Sequence, residues 1–311
     1  MLTRLLFTTL LGLSTSLAAN IGNAPCWIED AESAHGQVWL VCDRGRVFIS
    51  ADDGGTWRQS RLPSETRLRG IALPEAGRSF IVGDDGTLLS SADAGETWRS
   101  IAVPAKEHLR DIHFIGQTGW TAGHGGTVLH SSDGGRIWTR QVTGTSQSLE
   151  SLYFHDAARG WAVGWSGTIL RTTDGGRSWQ SAASSPAMWS LSSVYFTDPH
   201  NGWAAGMFGQ LLRTKDGGVS WQSQPAPVNG SFTSILFDRS GRGWVTGENG
   251  ILLSEDGGAT WRSIALGEWL FLERLIPVKD SIWAVGPFGI LTRAETETAW
   301  KSLDTLPKTS G

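Results

Sequence analysis

The octapeptide Ser/Thr-x-Asp-x-Gly-x-x-Trp recurs six times along the chain, at Ser50–Trp57, Ser91–Trp98, Ser131–Trp138, Thr172–Trp179, Thr214–Trp221 and Ser254–Trp261. A seventh copy, Arg293 to Trp300, keeps the Trp but has Glu295 in place of the Asp and lacks the Gly. Successive tryptophans lie 41, 40, 41, 42, 40 and 39 residues apart. A period this regular marks a repeat architecture, in which one unit cannot bury its own apolar faces and must stack on its neighbours.

A second signature precedes each copy, clearest in Gly160-Trp161-Ala162-Val163-Gly164-Trp165-Ser166-Gly167-Thr168-Ile169-Leu170. Its first aromatic recurs as Trp39, Phe80, Trp120, Trp203, Trp244 and Trp283. Its turn glycine recurs as Gly45, Gly86, Gly126, Gly209, Gly250 and Gly289. An apolar, alternating stretch opens the units, as at Leu109 to Ile115, Leu152 to Phe154 and Val194 to Phe196. The pattern predicts four short strands per unit, A to D, joined by Gly-rich turns. Four-stranded units of this kind bury both faces by stacking in a ring. The expected fold is therefore all-β: a seven-bladed β-propeller with four antiparallel strands per blade and the Asp-x-Gly turn between C and D. Residues 1–18 read as a signal peptide and 19–311 as one propeller. Its blades are expected near 25–60, 66–101, 107–142, 149–182, 190–224, 231–264 and 270–303. A closing blade shared by the two chain ends stays open, since Cys26-Trp27-Ile28 could pair elsewhere.

The N-terminus combines a positive start at Arg4, an apolar run from Leu5 to Leu13 and a small-x-small site at Ser16-Leu17-Ala18. That order fits a cleaved secretory signal, with an uncleaved anchor or a buried strand as the alternative. No later segment approaches the roughly 18 apolar residues that a membrane span needs. Cys26 follows Pro25 and is a poor lipid-attachment site. We expect an exported protein, periplasmic or secreted, monomeric and not integral to a membrane. An oxidising compartment would allow Cys26 and Cys42 to pair. About a hairpin turn near Ser33-Ala34-His35-Gly36 they would stand opposite one another, at roughly 4.5–5.5 Å between Cα atoms. Two buried free thiols remain the alternative. The net charge of −4, with both signs scattered, argues against a nucleic-acid binder, which needs a basic face.

In the repeated turn, Asp52, Asp93, Asp133, Asp174, Asp216 and Asp256 are placed to accept backbone N–H bonds, and the following Trp to pack between strands. Calcium-ligand or catalytic roles would require these acids to converge, which equivalent positions around a ring cannot do. The seven His residues (35, 108, 113, 124, 130, 155 and 200) show no metal-ligand spacing. Phosphate-loop, zinc-protease and serine-hydrolase motifs are absent. We expect no metal, no cofactor and no catalytic residue.

The Asp-boxes of form DGGxxW, preceded by GWAVGxxGTIL, resemble the photosystem II stability/assembly factor family of lumenal propellers, most closely over Gly160–Trp179. The resemblance implies a seven-bladed scaffold that helps assemble a membrane complex. Its partner would be a protein, a membrane-complex subunit or an exported segment. A photosynthetic source would imply the thylakoid lumen. The chain has no lipobox, transit peptide or dense basic patch like those of photosynthetic members, which favours a periplasmic relative. Sialidase-like glycoside hydrolases also carry Asp-boxes, but they need an arginine cluster, a Tyr nucleophile and an acid. Here Tyr153 and Tyr195 are equivalent repeat positions, no such arginine cluster is legible, and Arg274-Leu275-Ile276-Pro277 only echoes a sialidase motif. A glycan-binding module is the second alternative, because exposed Trp also stacks on sugars.

The repeat accounts for thirteen of the seventeen tryptophans and leaves Trp27, Trp165, Trp189 and Trp269. Trp27 reads as core on a strand A. The others fall in B–C turns or D–A connections, two loop classes that share one propeller face. There Trp165, Met188, Trp189, Met207, Phe208, Trp269, Phe271 and Phe288 form a candidate protein-binding patch. Asp43, Arg44, Asp84, Asp85, His124 and Glu248 form its candidate polar rim. Apolar groups on turn tips are costly in water and mark interaction surfaces, unless they fold back to plug the channel.

Overall fold

The computed structural model describes residues 26–63, 65–264, 266, 271–287, 289–294 and 299–303. The signal-peptide segment, Trp269 and Phe288 therefore lie outside the described residues. Among those described, twenty-eight strands form seven antiparallel four-stranded sheets, each built from consecutive strands. Blade one runs Ile28–Ala34, Gln37–Cys42, Arg46–Ser50 and Arg58–Ser60; blade seven runs Arg274–Val278, Ser281–Gly286, Gly289–Ala294 and Lys301–Ser302. The fold is the expected seven-bladed propeller. Neighbouring A strands lie side by side around the ring and so surround the axis.

Both repeat aromatics serve the packing of blade on blade. Trp161, on strand B of blade four, stacks on Phe196, on strand A of blade five, at 3.5 Å between ring centroids. Trp221, from the Asp-box of blade five, meets the same Phe196 edge-on at 5.9 Å. Trp120, Phe154 and Trp179 repeat the arrangement one blade earlier. Burying about 150–250 Å² per aromatic contributes roughly 4–6 kcal/mol in transfer terms. The Asp-box itself is a polar clasp. Asp52 accepts bonds from the Ser50 hydroxyl, the Thr56 amide and the Thr56 hydroxyl, while Ser50 Oγ accepts from the Gly54 amide. Each acid with this clasp has its proton affinity lowered, led at Asp93, Asp174 and Asp256 by the side-chain hydroxyl bond, and these three are brought down to about 2.

The ring closes by contact between two complete blades, not by a shared one. Ile276, Trp283 and Val285 of blade seven pack with Ile28, Ala31 and Leu40 of blade one. Arg274 pairs with Asp30 across the seam at 3.1 Å.

Two sequence expectations need correction at the N-terminal edge. Cys26 and Cys42 are joined by a disulfide, with Cα atoms 5.6 Å apart. They are not opposed residues, however, because the hairpin turns at His35-Gly36 and a bulge at Glu29 sets Ile28 opposite Cys42. Trp27 is not core. It precedes the strand, is 47% exposed and donates its backbone N–H to Asp43 Oδ1.

Candidate binding face

B–C turns and D–A connections do share a face, tied together by backbone hydrogen bonds. In blades two to six the first amide of the turn donates to the connection entering its own blade: Asp84 to Arg67, His124 to His108, Trp165 to Ser148, Met207 to Ser190 and Glu248 to Ser231, all at 2.8–3.0 Å. The turn glycine then lies against the connection leaving the blade. A Cβ on Gly126, where φ is +67°, would sit 2.0 Å from the Thr145 carbonyl oxygen. The same close approach recurs at Gly86, Gly167 and Gly209, whereas at Gly250 the nearest atom is 3.5 Å away and the positive φ of +92° is what favours Gly. The turn tips therefore stand on a stiff frame, and their side chains are free to differ between blades.

Those differences are apolar in blades four and five. Trp165, Met188, Trp189, Met207 and Phe208 are 38–76% exposed. The structure thus leaves them in water and does not use them to plug the channel. Trp189 meets Phe208 edge-to-face at 4.9 Å. Gln210 fixes the loop beneath them, accepting from the Met188 and Trp189 amides and donating to the Trp189 carbonyl. Trp165 belongs to a second group: its indole N–H donates to Glu150 Oε1 at 2.6 Å and its ring lies 6.0 Å from His124, which in turn meets His108. No ring contact joins the two groups among the described residues. Phe271 is half-buried.

The rim residues divide by what they hold. Asp43 accepts from the Trp27 amide and pairs with Arg46; Asp84 pairs with Arg69 at 2.9 Å; Glu248 accepts from the Ser231 amide. These carboxylates already brace their own blades. Arg44 and Asp85 point into solvent, with side chains 83% and 82% exposed. His124 is disfavoured as a cation, first by burial and then by the nearby Arg110.

Between the aromatic groups the channel mouth forms a cavity of about 230 Å³, lined by Glu29, Arg67, Arg69, Arg110, Glu150 and Glu273 with Asp30, Asp111 and Arg274 beneath. Sequence reading missed this convergence and expected no arginine cluster, because the four arginines come from blades two, three and seven. Each is matched by an acid: Arg67 with Glu29, Arg69 with Asp84, Arg110 with Glu150 and Arg274 with Asp30. Glu273 makes no ion pair among the described residues, and burial, with Glu29 adding and Arg110 and Arg67 opposing, pushes its pKa up to about 7. The available signal was a repeat position. The residue after the first apolar of strand A is Glu29, Arg69, Arg110, Glu150 and Glu273 in five blades, against Ser192 and Thr233 in the other two.

Deeper in the channel lie Glu32, His113, Tyr153 and Tyr195. Burial raises the phenol pKa of both tyrosines, which leaves them neutral and unactivated as nucleophiles. Among the described residues no group of three or more His, Cys, Asp or Glu could hold a metal ion, and no helix is long and apolar enough to cross a membrane.

Comparison with known proteins gives a family and a fold. The family model described as Photosynthesis system II assembly factor YCF48 matches residues 52–147 and 185–287. No curated protein sequence matches significantly. A solved structure described as YCF48 bound to D1 peptide is similar over 89% of this chain and 93% of its own, at 20% identity and a TM-score of 0.74. YCF48 from Cyanidioschyzon merolae is similar over 79% and 88%, at 21% identity and a TM-score of 0.64. The GH74 enzyme of Niastella koreensis matches over 90% of this chain but 54% of its own, at 15% identity and a TM-score of 0.72.

Proposed function

The chain belongs to the Photosynthesis system II assembly factor YCF48 family, and we propose that it is an exported, non-catalytic assembly factor that holds a segment of a protein partner across the loop face of its channel. The observation that carries this reading is the set of exposed Trp165, Met188, Trp189, Met207 and Phe208 side chains on hydrogen-bonded turns. Rigid aromatic groups suit a peptide, since they present large contact area and lose little freedom on binding, and flexible thioethers adapt to its irregular apolar surface. Trp27 and the half-buried Phe271 extend the apolar surface to the far side of the channel mouth. The mixed-charge cavity between them suits backbone and polar side chains, because its acids and bases could each exchange an internal partner for one on the ligand. A family relative described as bound to D1 peptide supports a protein ligand. The partner would belong to a membrane complex, and the compartment would be the periplasm, or the thylakoid lumen in a photosynthetic cell.

A hydrolase reading has the distant GH74 likeness on its side. Against it, the channel arginines are engaged by carboxylates, and the tyrosines are shifted away from ionisation. The test is recovery of partner from the native cell envelope by the tagged protein and by a Trp165→Ala, Trp189→Ala double variant. Loss of the partner by a variant that still melts normally supports the reading. Undiminished recovery rules out this patch, and turnover of a sialoside or polysaccharide by the purified protein replaces the scaffold with an enzyme.

A further inference from the structure

The opposite face carries a deviation that the repeat makes conspicuous. There the C–D turns lie against the A–B turns, as in the bonds from Gly134 to Gln117, Gly175 to Ala158 and Gly217 to His200. Each Asp-box also covers the strand-B aromatic of the preceding blade. The Gly175 carbonyl accepts from the Trp120 indole at 2.9 Å, and that of Gly217 from the Trp161 indole at 2.8 Å. By the same rule Trp244 of blade six should be covered by the Asp-box of blade seven, the one copy whose sequence lacks both Asp and Gly. The Trp244 indole nitrogen is buried and has no hydrogen-bond partner among the described residues.

At the head of that copy, Arg293 replaces the Ser or Thr that in other blades bonds the box Asp. Arg293 is only 7% exposed, yet no hydrogen-bond acceptor or ion-pair partner engages it among the described residues. Its guanidinium and that of Arg242 lie 5.8 and 5.7 Å from the Trp244 ring. Burial, and next the Arg242 charge, lower its proton affinity, while the Glu255 and Asp238 carboxylates act against that shift. Both residues border a cavity of about 390 Å³ between blades six and seven, together with Arg239, Lys279, Tyr195, Leu236 and Pro277. Two acids, Asp238 and Asp280, also border it; Asp238 is already bonded to Arg242 and Ser240, and Lys279 pairs with Asp53 of blade one. A buried arginine left without an acceptor is costly unless an anion completes it.

We propose that this cavity is a binding site for a small organic carboxylate with an apolar body. The carboxylate would take the Arg293 and Arg239 side of the cavity, and its apolar part the wall of Tyr195, Leu236 and Pro277. The volume falls within the range of about 300–1,000 Å³ usual for small-molecule sites. The site lies across the propeller from the proposed partner face and stands whether or not that proposal does.

Isothermal titration of the whole protein with phenylacetate tests it, with phenethylamine and inorganic phosphate as companions. Phenylacetate should bind one to one, the amine should not bind, and phosphate should bind more weakly. Arg293→Met, which removes a charge-assisted bond, should weaken phenylacetate by about tenfold or more. Arg239 is exposed, so Arg239→Ala should fold normally and decides the matter if Arg293→Met does not; it too should weaken phenylacetate. Trp165→Ala should leave this affinity unchanged. Absence of phenylacetate binding overturns the proposal. So does wild-type affinity in the arginine variants, or binding of phosphate or the amine as tight as that of phenylacetate.

Discussion

Glu32 is acted on by Arg274, Asp30 and Asp111, residues of blades seven, one and three, which can meet only at the axis. Burial is the largest effect on it and pushes its pKa up to about 8; burial likewise raises Asp30 to about 6. An acid whose folded pKa exceeds its unfolded value loses stability as pH rises from the unfolded to the folded value. His113, lowered by burial from 6.5, acts in the opposite direction as pH falls below that value. Above about pH 6.5 only the acids remain, so the melting temperature should fall between about pH 6.5 and 8. Glu32→Gln should flatten that decline; an unchanged slope would show that Glu32 does not carry it. Two tryptophans four residues apart give a second contrast. Trp161 is 2% exposed in the interblade stack, and Trp161→Ala should cost about 3–5 kcal/mol in denaturant unfolding. Trp165, half exposed on its turn tip, should cost about 1 kcal/mol or less on the same change. Equal costs would place Trp165 in the core.

At the level of the hairpin and turn, the two repeat signatures were legible because each answers a local need. The Ser/Thr-x-Asp-x-Gly-x-x-Trp octapeptide encodes a clasp and a packing aromatic, and the recurrent B–C glycine avoids a collision with the next connection. What local pattern could not show is an interruption of it. The hairpin turns at His35-Gly36 and not about Ala34, and a bulge at Glu29 breaks the ladder, so Ile28 and not Cys26 stands opposite Cys42, and Trp27 lies ahead of the strand at the surface. The disulfide nevertheless closes, and it ties the chain ahead of blade one to the end of its second strand. Replacing both cysteines by Ser should lower stability by about 3 kcal/mol in the chain-entropy account. A melt of the double variant indistinguishable from wild type would show that blade one does not depend on the link.

Across the whole molecule, the ring turns small deviations between equivalent positions into two different faces. The aromatic tips emerged from the sequence by subtraction, since Trp165 and Trp189 were among the four tryptophans the repeat did not need. The charged channel mouth did not emerge, because its members are about forty residues apart and meet only when the A strands surround the axis. The Trp244 indole, without a hydrogen-bond partner among the described residues, and the arginines beside it were hidden for the same reason: they gather from two different blades. The central claim is that the face carrying the B–C turns holds a protein segment. Photo-crosslinking in the native envelope tests it most directly, with p-benzoylphenylalanine placed at position 208 on that face or at position 215 on the opposite one. Crosslinks to one protein from position 208, absent from position 215, are the predicted result. Crosslinks to that protein from position 215 and none from position 208 would contradict it.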